Sequence, residues 1–264
     1  MTYFGFLLRF VAIPILILLA ITLWELRHGR RAHSMLCARF IWVGILAHIV
    51  AAVVYTTPWD NYLVATGVWS YNPELVTGIL LGYVPIEEYT FFVLETLLVG
   101  LWWWFLARRP LASDPLFRPS TALRLSALIV LFVLWAISLY LFFFGAPSWN
   151  YLSITLAWAL PAIFPQVLYG ADLLWRHRRL VLASILVPGV YLSLTDIVAL
   201  TQTTWSISKE QTTGILFFGI LPLEEIVFFF ITSTLITFGM TLSLSEQGQA
   251  RFRAWKARGY RGIP

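Results

Sequence analysis

Long apolar runs, each separated from the next by a short polar segment, make up most of the chain. Seven of these runs reach the length of about 20 residues that a helix needs to cross a hydrocarbon core. They cover roughly residues 3–24, 37–56, 76–106, 122–144, 150–172, 180–200 and 213–243. The third and seventh runs are longer than one crossing requires, so each is expected to tilt or to break. The pattern predicts an all-α integral membrane protein with seven transmembrane helices.

The composition agrees with a membrane protein. Hydrophobic residues make up 59% of the 264 residues and charged residues 12%, whereas a soluble domain carries about 25% charged residues. The first apolar run lacks a basic leader and a small-residue cleavage site, so it is expected to be the first span and not a signal peptide. The single cysteine, Cys37, excludes an intramolecular disulfide bond and a cysteine-based metal cluster.

Basic residues occur in every second polar segment. The segments after the first, third and fifth spans and the C-terminal tail are basic, whereas the three intervening loops hold one basic residue between them, Lys209. By the positive-inside rule, this alternation predicts an outside N-terminus and a cytoplasmic C-terminus. The expected location is the plasma membrane of a prokaryote. The net charge of +5 is therefore expected to reflect membrane topology and not binding to nucleic acid.

The chain contains an internal repeat. When Asp60 is placed over Asp196, the surrounding polar and aromatic positions coincide. After one inserted residue, "PIEEYTFF" at 85–92 falls on "PLEEIVFF" at 222–229. Spans one to three and spans five to seven are therefore two copies, and the fourth span gives both copies the same orientation.

This repeat predicts two parallel three-helix units related by a pseudo-twofold axis along the membrane normal, with their third and seventh spans facing one shared cavity. The expected divisions are a first unit at 1–110, a linker transmembrane helix at 111–146, a second unit at 147–243 and a basic cytoplasmic tail at 244–264.

Two pairs of adjacent glutamates lie in the third and seventh runs. Glu87 stands about ten residues into the third run, which at about 1.5 Å per residue predicts a position near the middle of the membrane. A charge there costs at least about 2.5–3.5 kcal/mol, and only Arg9 and His48 could pair with it. A neutral carboxylic acid beside a carboxylate forms an acid/base unit, although an interhelical hydrogen bond is the structural alternative. The catalytic candidates are Glu87, Glu88, Glu224 and Glu225.

Residues around the glutamates are candidates for a supporting role. The prolines before each pair are expected to kink the helices and aim the glutamates inward. The phenylalanines that follow either pack against lipid or wall an apolar pocket in which aromatic faces stabilise a carbocation. The repeated aspartates either cap helix ends or contact water, or they belong to the site, and the repeated tryptophans belong to the site or to an outer aromatic belt. The supporting candidates are Asp60, Asp196, Pro85, Pro222, Phe91, Phe92, Phe228, Phe229, Trp69, Trp205 and Glu95.

The segments "TTPWDNYLVATGVWSY", "PIEEYTFF" and "PLEEIVFFF" resemble the heterodimer-type lycopene cyclase family. Its bacterial members are two small membrane proteins, and its archaeal and fungal members fuse both halves in one chain. This chain resembles the fused form over nearly its whole length. The second copy keeps Thr195 and Asp196 but lacks the "PWDNY" context.

The resemblance implies an enzyme of carotenoid biosynthesis that cyclises the ψ-end groups of lycopene or a related linear carotenoid without net redox change. An acid protonates the terminal double bond, the cation attacks along the polyene, and a base removes a proton. The four paired glutamates carry this chemistry, so glutamine at Glu87 or Glu224 is expected to lower activity by orders of magnitude. The implied partners are the carotenoid, membrane lipids and other carotenoid-pathway enzymes.

Neither a cofactor nor a metal is expected. No glycine-rich dinucleotide fingerprint follows a strand, since the chain is expected to have no strands, and no DxxxD-type magnesium cluster occurs. Two alternative functions remain, a carotenoid 1,2-hydratase, in which water quenches the cation, and a parallel-repeat membrane transporter. A retinal protein would need a lysine in the last span, whereas Lys209 precedes that span and Lys256 follows it.

Overall fold

A computed structural model describes residues 1–30, 36, 40–109 and 118–260. Seven helices in these ranges are long and apolar enough to cross a membrane, which confirms the predicted all-α membrane fold. Cys37 lies outside the described residues.

The first span is built of two helices joined without a loop. Helix α1 (Tyr3–Leu7) continues through a π-helical turn (Leu8–Ala12) into α2 (Ile13–Arg27). Pro14 stands at the start of α2, and because proline has no backbone N–H, the normal helical hydrogen bond is missing there and the wider turn takes its place. The remaining helices are α3 (Ile41–Ala65), α4 (Ile86–Ala107), α5 (Thr121–Phe144), α6 (Asn150–Arg176), α7 (Arg178–Thr201), α8 (Leu223–Leu244) and α9 (Glu246–Tyr260).

Six short strands form three antiparallel pairs, so the expectation that the chain has no strands is wrong. Strand β1 (Trp69–Tyr71) pairs with β4 (Trp205–Ile207). Two hairpins, β2 (Leu80–Leu81) with β3 (Val84–Pro85) and β5 (Leu216–Phe217) with β6 (Leu221–Pro222), stand directly before α4 and α8. Their tight turns contain Gly82 and Gly219, each with a φ of 71°, a conformation that glycine adopts without strain.

The hairpins change the predicted starts of the third and seventh spans. These helices begin at Ile86 and Leu223, about ten residues later than the apolar runs, so both runs break instead of tilting. Pro85 and Pro222 are extended residues with ψ of 150° and 145° just before the helices. The predicted proline kinks are therefore wrong, because proline at a helix start removes no helical hydrogen bond.

The same shift changes the position of the glutamates within their helices. Glu87 stands in the first turn of α4 and not ten residues inside a helix, and Glu224 has the same place in α8. Both pairs therefore lie at the positive end of a helix dipole, which favours nearby negative charge.

The helices that carry the glutamates lie at the centre of the molecule. Helices α4 and α8 are the most buried of the seven long helices, and α5, the predicted linker helix, is the least buried. Helix α4 packs against α2, α3, α7 and α8, whereas α5 packs mainly against α6. The interior of the fold is thus built around α4 and α8.

The pairing of β1 with β4 joins the two copies of the repeat. Ser70 lies opposite Ser206, which is its equivalent in the second copy, and Trp69 lies opposite Ile207. A twofold axis passing between equivalent residues would produce this register. We keep the parallel pseudo-twofold arrangement, with its four predicted divisions of the chain, as a proposal that this pairing supports.

Buried ion pairs hold the helix ends opposite the hairpins. The Glu25 carboxylate, 2% exposed, accepts hydrogen bonds from Arg108 Nε at 3.0 Å and from an Arg109 guanidinium nitrogen at 2.6 Å. The Arg108 side chain is fully buried. These contacts join the end of α2 to the end of α4.

Replacing Glu25 by glutamine is expected to lower the free energy of unfolding by about 3–5 kcal/mol, because it leaves the Arg108 guanidinium buried without its counter-charge. Denaturant unfolding in detergent micelles measures this change. Glu246→Gln, at an exposed position, is the matched control and should leave stability nearly unchanged. Equal stability of the two variants would contradict the role given to Glu25.

Candidate active site

The first glutamate of each pair holds the loop before its helix. Glu87 Oε1 accepts a hydrogen bond from the Thr77 backbone N–H at 2.6 Å, and Glu224 Oε1 accepts one from the Thr213 backbone N–H at 2.7 Å. Thr77 and Thr213 are equivalent in the repeat. Among the described residues, the Oε2 atoms of both glutamates are buried and have no hydrogen-bond partner. The same loop-closing contact therefore occurs in both copies.

The second glutamate of each pair faces a cavity. The Tyr3 hydroxyl donates to Glu88 Oε2 at 2.5 Å, and the Tyr151 hydroxyl donates to Glu225 Oε1 at 2.5 Å. Tyr3 stands in the first turn of α1 and Tyr151 in the first turn of α6. Glu88 and Glu225 line one small shared cavity of about 30 Å³. Each copy thus contributes one carboxyl group, held by a tyrosine, to the same space.

Most of the cavity wall is aromatic. The cavity is lined by Asp196, Phe91, Phe228, Phe229, Trp69 and Trp205 from the supporting candidates of the sequence. Trp69 is buried, and the Trp205 indole packs 4.8 Å from the Tyr3 ring. The alternative placement of these two tryptophans in an outer aromatic belt is therefore wrong. Carboxyl groups and aromatic faces meet in one confined space.

Tyr71 makes the two halves of the cavity different. Its hydroxyl is a second donor to Glu88 Oε2, at 3.0 Å, whereas the equivalent residue in the second copy is Ile207. Burial and, to a smaller extent, the nearby Glu88 carboxylate raise the pKa of the Tyr71 phenol well above its usual value. The hydroxyl therefore keeps its proton at neutral pH and can donate it in a hydrogen bond. Glu88 accepts two tyrosine hydroxyls and Glu225 accepts one.

The two repeated aspartates also differ. Asp60 in α3 and Asp196 in α7 are 0% and 1% exposed, and both stand inside their helices, so the helix-capping alternative is wrong. Asp196 lines the cavity and accepts a hydrogen bond from Trp205 Nε1 at 2.9 Å. Asp60 is not part of the cavity lining, and neither of its carboxylate oxygens has a hydrogen-bond partner within the described ranges.

A larger groove adjoins this cavity. It has a volume of about 810 Å³ and is lined by side chains of α3, α4, α6 and α8. Phe228 lines both the cavity and the groove. Its ring stacks on Trp59 at 5.5 Å, and Trp59 stacks on Trp158 at 4.4 Å. This aromatic stack stands where the two spaces meet.

Two further sequence candidates lie in the groove and not in the cavity. Phe92 and Glu95 both line it. Glu95 Oε1 accepts a hydrogen bond from Thr232 Oγ1 at 2.6 Å, and Thr232 is the residue that the repeat places over Glu95. Equivalent positions of α4 and α8 therefore contact each other.

Arg9 and His48, the two residues considered from the sequence as ion-pair partners of the glutamates, have other hydrogen-bond partners. Arg9 donates to Met1 Sδ at 2.6 Å, and His48 Nδ1 lies 2.7 Å from the Gly44 carbonyl oxygen. Tyrosine hydroxyls and backbone N–H groups contact the glutamates instead. Sequence reasoning missed Tyr3 and Tyr151, although both stand at the start of the first span of their copy, which is the signal that could have identified them.

A matching family model and two matching relatives are all described as lycopene cyclases. A family model described as lycopene cyclase matches residues 5–106 and 148–242. The lycopene beta-cyclase of Halobacterium salinarum is 40% identical over 205 residues, which are 78% of this chain and 83% of that protein. The bifunctional lycopene cyclase/phytoene synthase of Podospora anserina is 33% identical over 237 residues, 87% of this chain and 38% of that protein. No solved structure matches the chain.

Proposed function

The chain belongs to the lycopene cyclase family, and we propose that it closes the ψ-end group of lycopene, or of a related linear carotenoid, by acid/base catalysis in the cavity between its two halves. It is an enzyme of carotenoid biosynthesis that cyclises lycopene, and its seven apolar helices fit a multi-pass membrane protein. The observation that carries the mechanism is that Glu88 and Glu225 line one aromatic cavity.

The reaction needs one proton donor and one proton acceptor. The donor protonates the terminal double bond of the carotenoid, which leaves a tertiary cation. A second double bond of the same end group attacks this cation and closes a six-membered ring, and the new cation loses a proton to the acceptor. One proton enters and one leaves, no electrons are exchanged with another molecule, and the mass of the carotenoid stays unchanged.

We assign the two proton transfers to Glu88 and Glu225, because these carboxyl groups face the cavity. Glu87 and Glu224 keep the hairpins closed through the threonine N–H groups. A glutamine oxygen can accept the same N–H hydrogen bond, so the amide variants of these two residues should retain function. This assignment reduces the number of proposed catalytic glutamates from four to two. It also replaces the expectation from the sequence that glutamine at Glu87 or Glu224 lowers activity by orders of magnitude.

The cavity wall serves the cationic stage of the reaction. A cation close to the face of a phenylalanine or tryptophan is stabilised by the ring electrons, and Phe91, Phe228, Phe229 and Trp69 present such groups. The same apolar wall limits the access of water to the cation. These features favour cyclisation over the hydratase. The cavity and the groove are lined mainly by aromatic and aliphatic side chains, which suits a hydrocarbon better than the polar solute of a transporter.

The groove gives a hydrocarbon substrate access from the bilayer. Its wall contains small side chains, Ala51, Ala52 and Ala162, beside aromatic ones, and its volume of about 810 Å³ can hold an extended polyene segment. We propose that the polyene lies in the groove and that its end group passes Phe228 into the cavity. Glu95, hydrogen-bonded to Thr232, borders this polyene path.

The position in the membrane follows from the distribution of basic residues. We propose a prokaryotic plasma membrane, an outside N-terminus and a cytoplasmic C-terminus, because every second polar segment is basic. Membrane lipids and other enzymes of the carotenoid pathway are the proposed neighbours. No cofactor is required by the proton transfers that we assign.

Expression of the chain in a bacterium that accumulates lycopene tests this function. Pigment extraction should give a cyclic carotene with the mass of lycopene, and its absorption spectrum reports whether one or two rings form. A product heavier by one water would instead identify a hydratase. Unchanged lycopene, with the protein present in the membrane, would contradict cyclisation of lycopene.

A further inference from the structure

We infer that the two cavity glutamates have separate tasks, with Glu225 as the acid that donates the first proton and Glu88 as the base that accepts the last one. This inference rests on the proposed cyclase function and divides its two proton transfers between the two halves of the chain. The repeat alone would make the glutamates equivalent, so the division must come from residues that the two copies do not share.

The surroundings of Glu88 suit a carboxylate. Tyr3 and Tyr71 both donate to the same oxygen, Oε2, at 2.5 and 3.0 Å. Hydrogen bonds from hydroxyl groups to an ionised carboxylate are about twice as strong as those between neutral groups. Two such donors hold Glu88 in one orientation and leave its other oxygen to take up a proton from the substrate.

The surroundings of Glu225 suit a proton-bearing acid. Tyr151 is its hydroxyl donor, at 2.5 Å, and Ile207 stands where the second copy would need a counterpart of Tyr71. Asp196 lines the same cavity. Carboxylates that face one another in a confined space repel, so a proton is retained among them. The two hydroxyl groups that donate to Glu88 favour its ionised form. The retained proton is therefore placed on the Glu225 carboxyl group.

The proton transfers balance over one ring closure. The Glu225 carboxyl group gives its proton to the CH carbon of the terminal double bond, the π electrons of that bond form the new C–H bond, and the tertiary cation is left on the dimethyl carbon. The π electrons of the second double bond then form the ring C–C bond. A ring carbon then gives its proton to Glu88, and the electrons of the broken C–H bond become the ring double bond. A proton transferred from Glu88 to Glu225 restores the starting state, so no net proton is consumed.

The two roles have different consequences for the products. Without the acid no cation forms, so every product is lost together. With a weakened base the cation still forms but survives longer. It then loses a proton from another neighbouring carbon, which moves the ring double bond, or it captures water. The composition of the products therefore reports on the base, and the total amount of product reports on the acid.

Tyr71→Phe tests the division because it keeps the ring but removes one of the two hydroxyl donors that favour the ionised form of Glu88. A smaller fraction of Glu88 is then present as the carboxylate that acts as the base. We expect turnover to fall about 10-fold, the size of effect of one hydrogen bond to a charged group. The share of carotenes with a displaced ring double bond, or of hydrated carotenoid, should rise. Tyr151→Phe is the matched control, since it removes the hydroxyl donor of Glu225. It should change turnover and leave the product composition as in the wild-type protein.

Products are separated by chromatography and identified by mass and spectrum, at equal protein amounts in the membrane. If Tyr71→Phe accumulates poorly, Tyr3→Phe removes the other hydroxyl of Glu88 and gives the same readout. A changed composition in Tyr151→Phe with an unchanged one in the Glu88-side variant would overturn the division. Failure of the wild-type protein to form any cyclic carotene would instead contradict the proposed function itself.

Discussion

Replacing Glu225 by glutamine is expected to lower the rate of ring formation by about 10²–10⁴-fold, the usual contribution of a positioned general acid or base. Glutamine keeps the length of the side chain, and its amide oxygen can still accept the Tyr151 hydroxyl. What it lacks is a proton acidic enough to transfer to an alkene. The rate is measured as lycopene consumed per amount of protein in isolated membranes.

Glu224→Gln is the matched control for this prediction. It makes the same chemical change one residue earlier in α8, where the carboxyl oxygen accepts the Thr213 backbone N–H. A glutamine oxygen can accept that hydrogen bond, so turnover should stay within a few-fold of the wild type. If Glu224→Gln lost activity as completely as Glu225→Gln, the division between a loop-closing and a cavity-facing glutamate would be wrong.

The second large effect is expected in the groove. Replacing Ala52 by tryptophan places a bulky ring where we propose that the polyene lies, and turnover of lycopene should fall at least about 10-fold because overfilling a packed space costs typically 1–3 kcal/mol. The acid and base remain in place, so the loss should come from substrate binding. Turnover over a range of lycopene contents in lipid vesicles measures it.

Ala20→Trp makes the same substitution at an exposed position of α2 and is the control for insertion and folding. Its activity should equal that of the wild-type protein. Wild-type turnover by Ala52→Trp would show that the carotenoid reaches the cavity by another route.

The fold was largely predictable from hydropathy, but the starts of two helices were not. The hairpin before α4 contains Leu80 and Leu81, and the hairpin before α8 contains Leu216 and Phe217, all of them exposed apolar residues. Such segments extend the apolar run without a gap, so hydropathy cannot separate them from the helix that follows. For this reason the position of the glutamates within their helices and the effect of the prolines were predicted wrongly.

The glutamate pairs were found from the sequence because the repeat presents them twice, but their individual surroundings could not be predicted. Adjacent helical residues point in directions about 100° apart, so Glu87 and Glu88 face different neighbours. The partner of Glu88 is Tyr3, 85 positions earlier in the chain, and only the packing of α1 beside α4 brings the two together. No local pattern reports a contact of that kind.

The internal asymmetry of the site was likewise hidden from the repeat. Aligning the copies shows that Tyr71 has Ile207 as its equivalent, but the sequence does not show that this position borders a glutamate. The pairing of β1 with β4 places Tyr71 beside the cavity. In a fused chain the two halves can differ in sequence at such positions. The site can therefore provide an acid in one half and a base in the other.

The central claim is that the carboxyl groups of the two halves cyclise lycopene by proton transfer alone. The most direct measurement uses the purified protein in lipid vesicles that contain lycopene, with no flavin, nicotinamide or metal salt added. We predict conversion to a cyclic carotene of unchanged mass, and loss of that conversion in Glu225→Gln. Conversion that requires an added redox cofactor, or that continues at the wild-type rate in Glu225→Gln, would contradict the account.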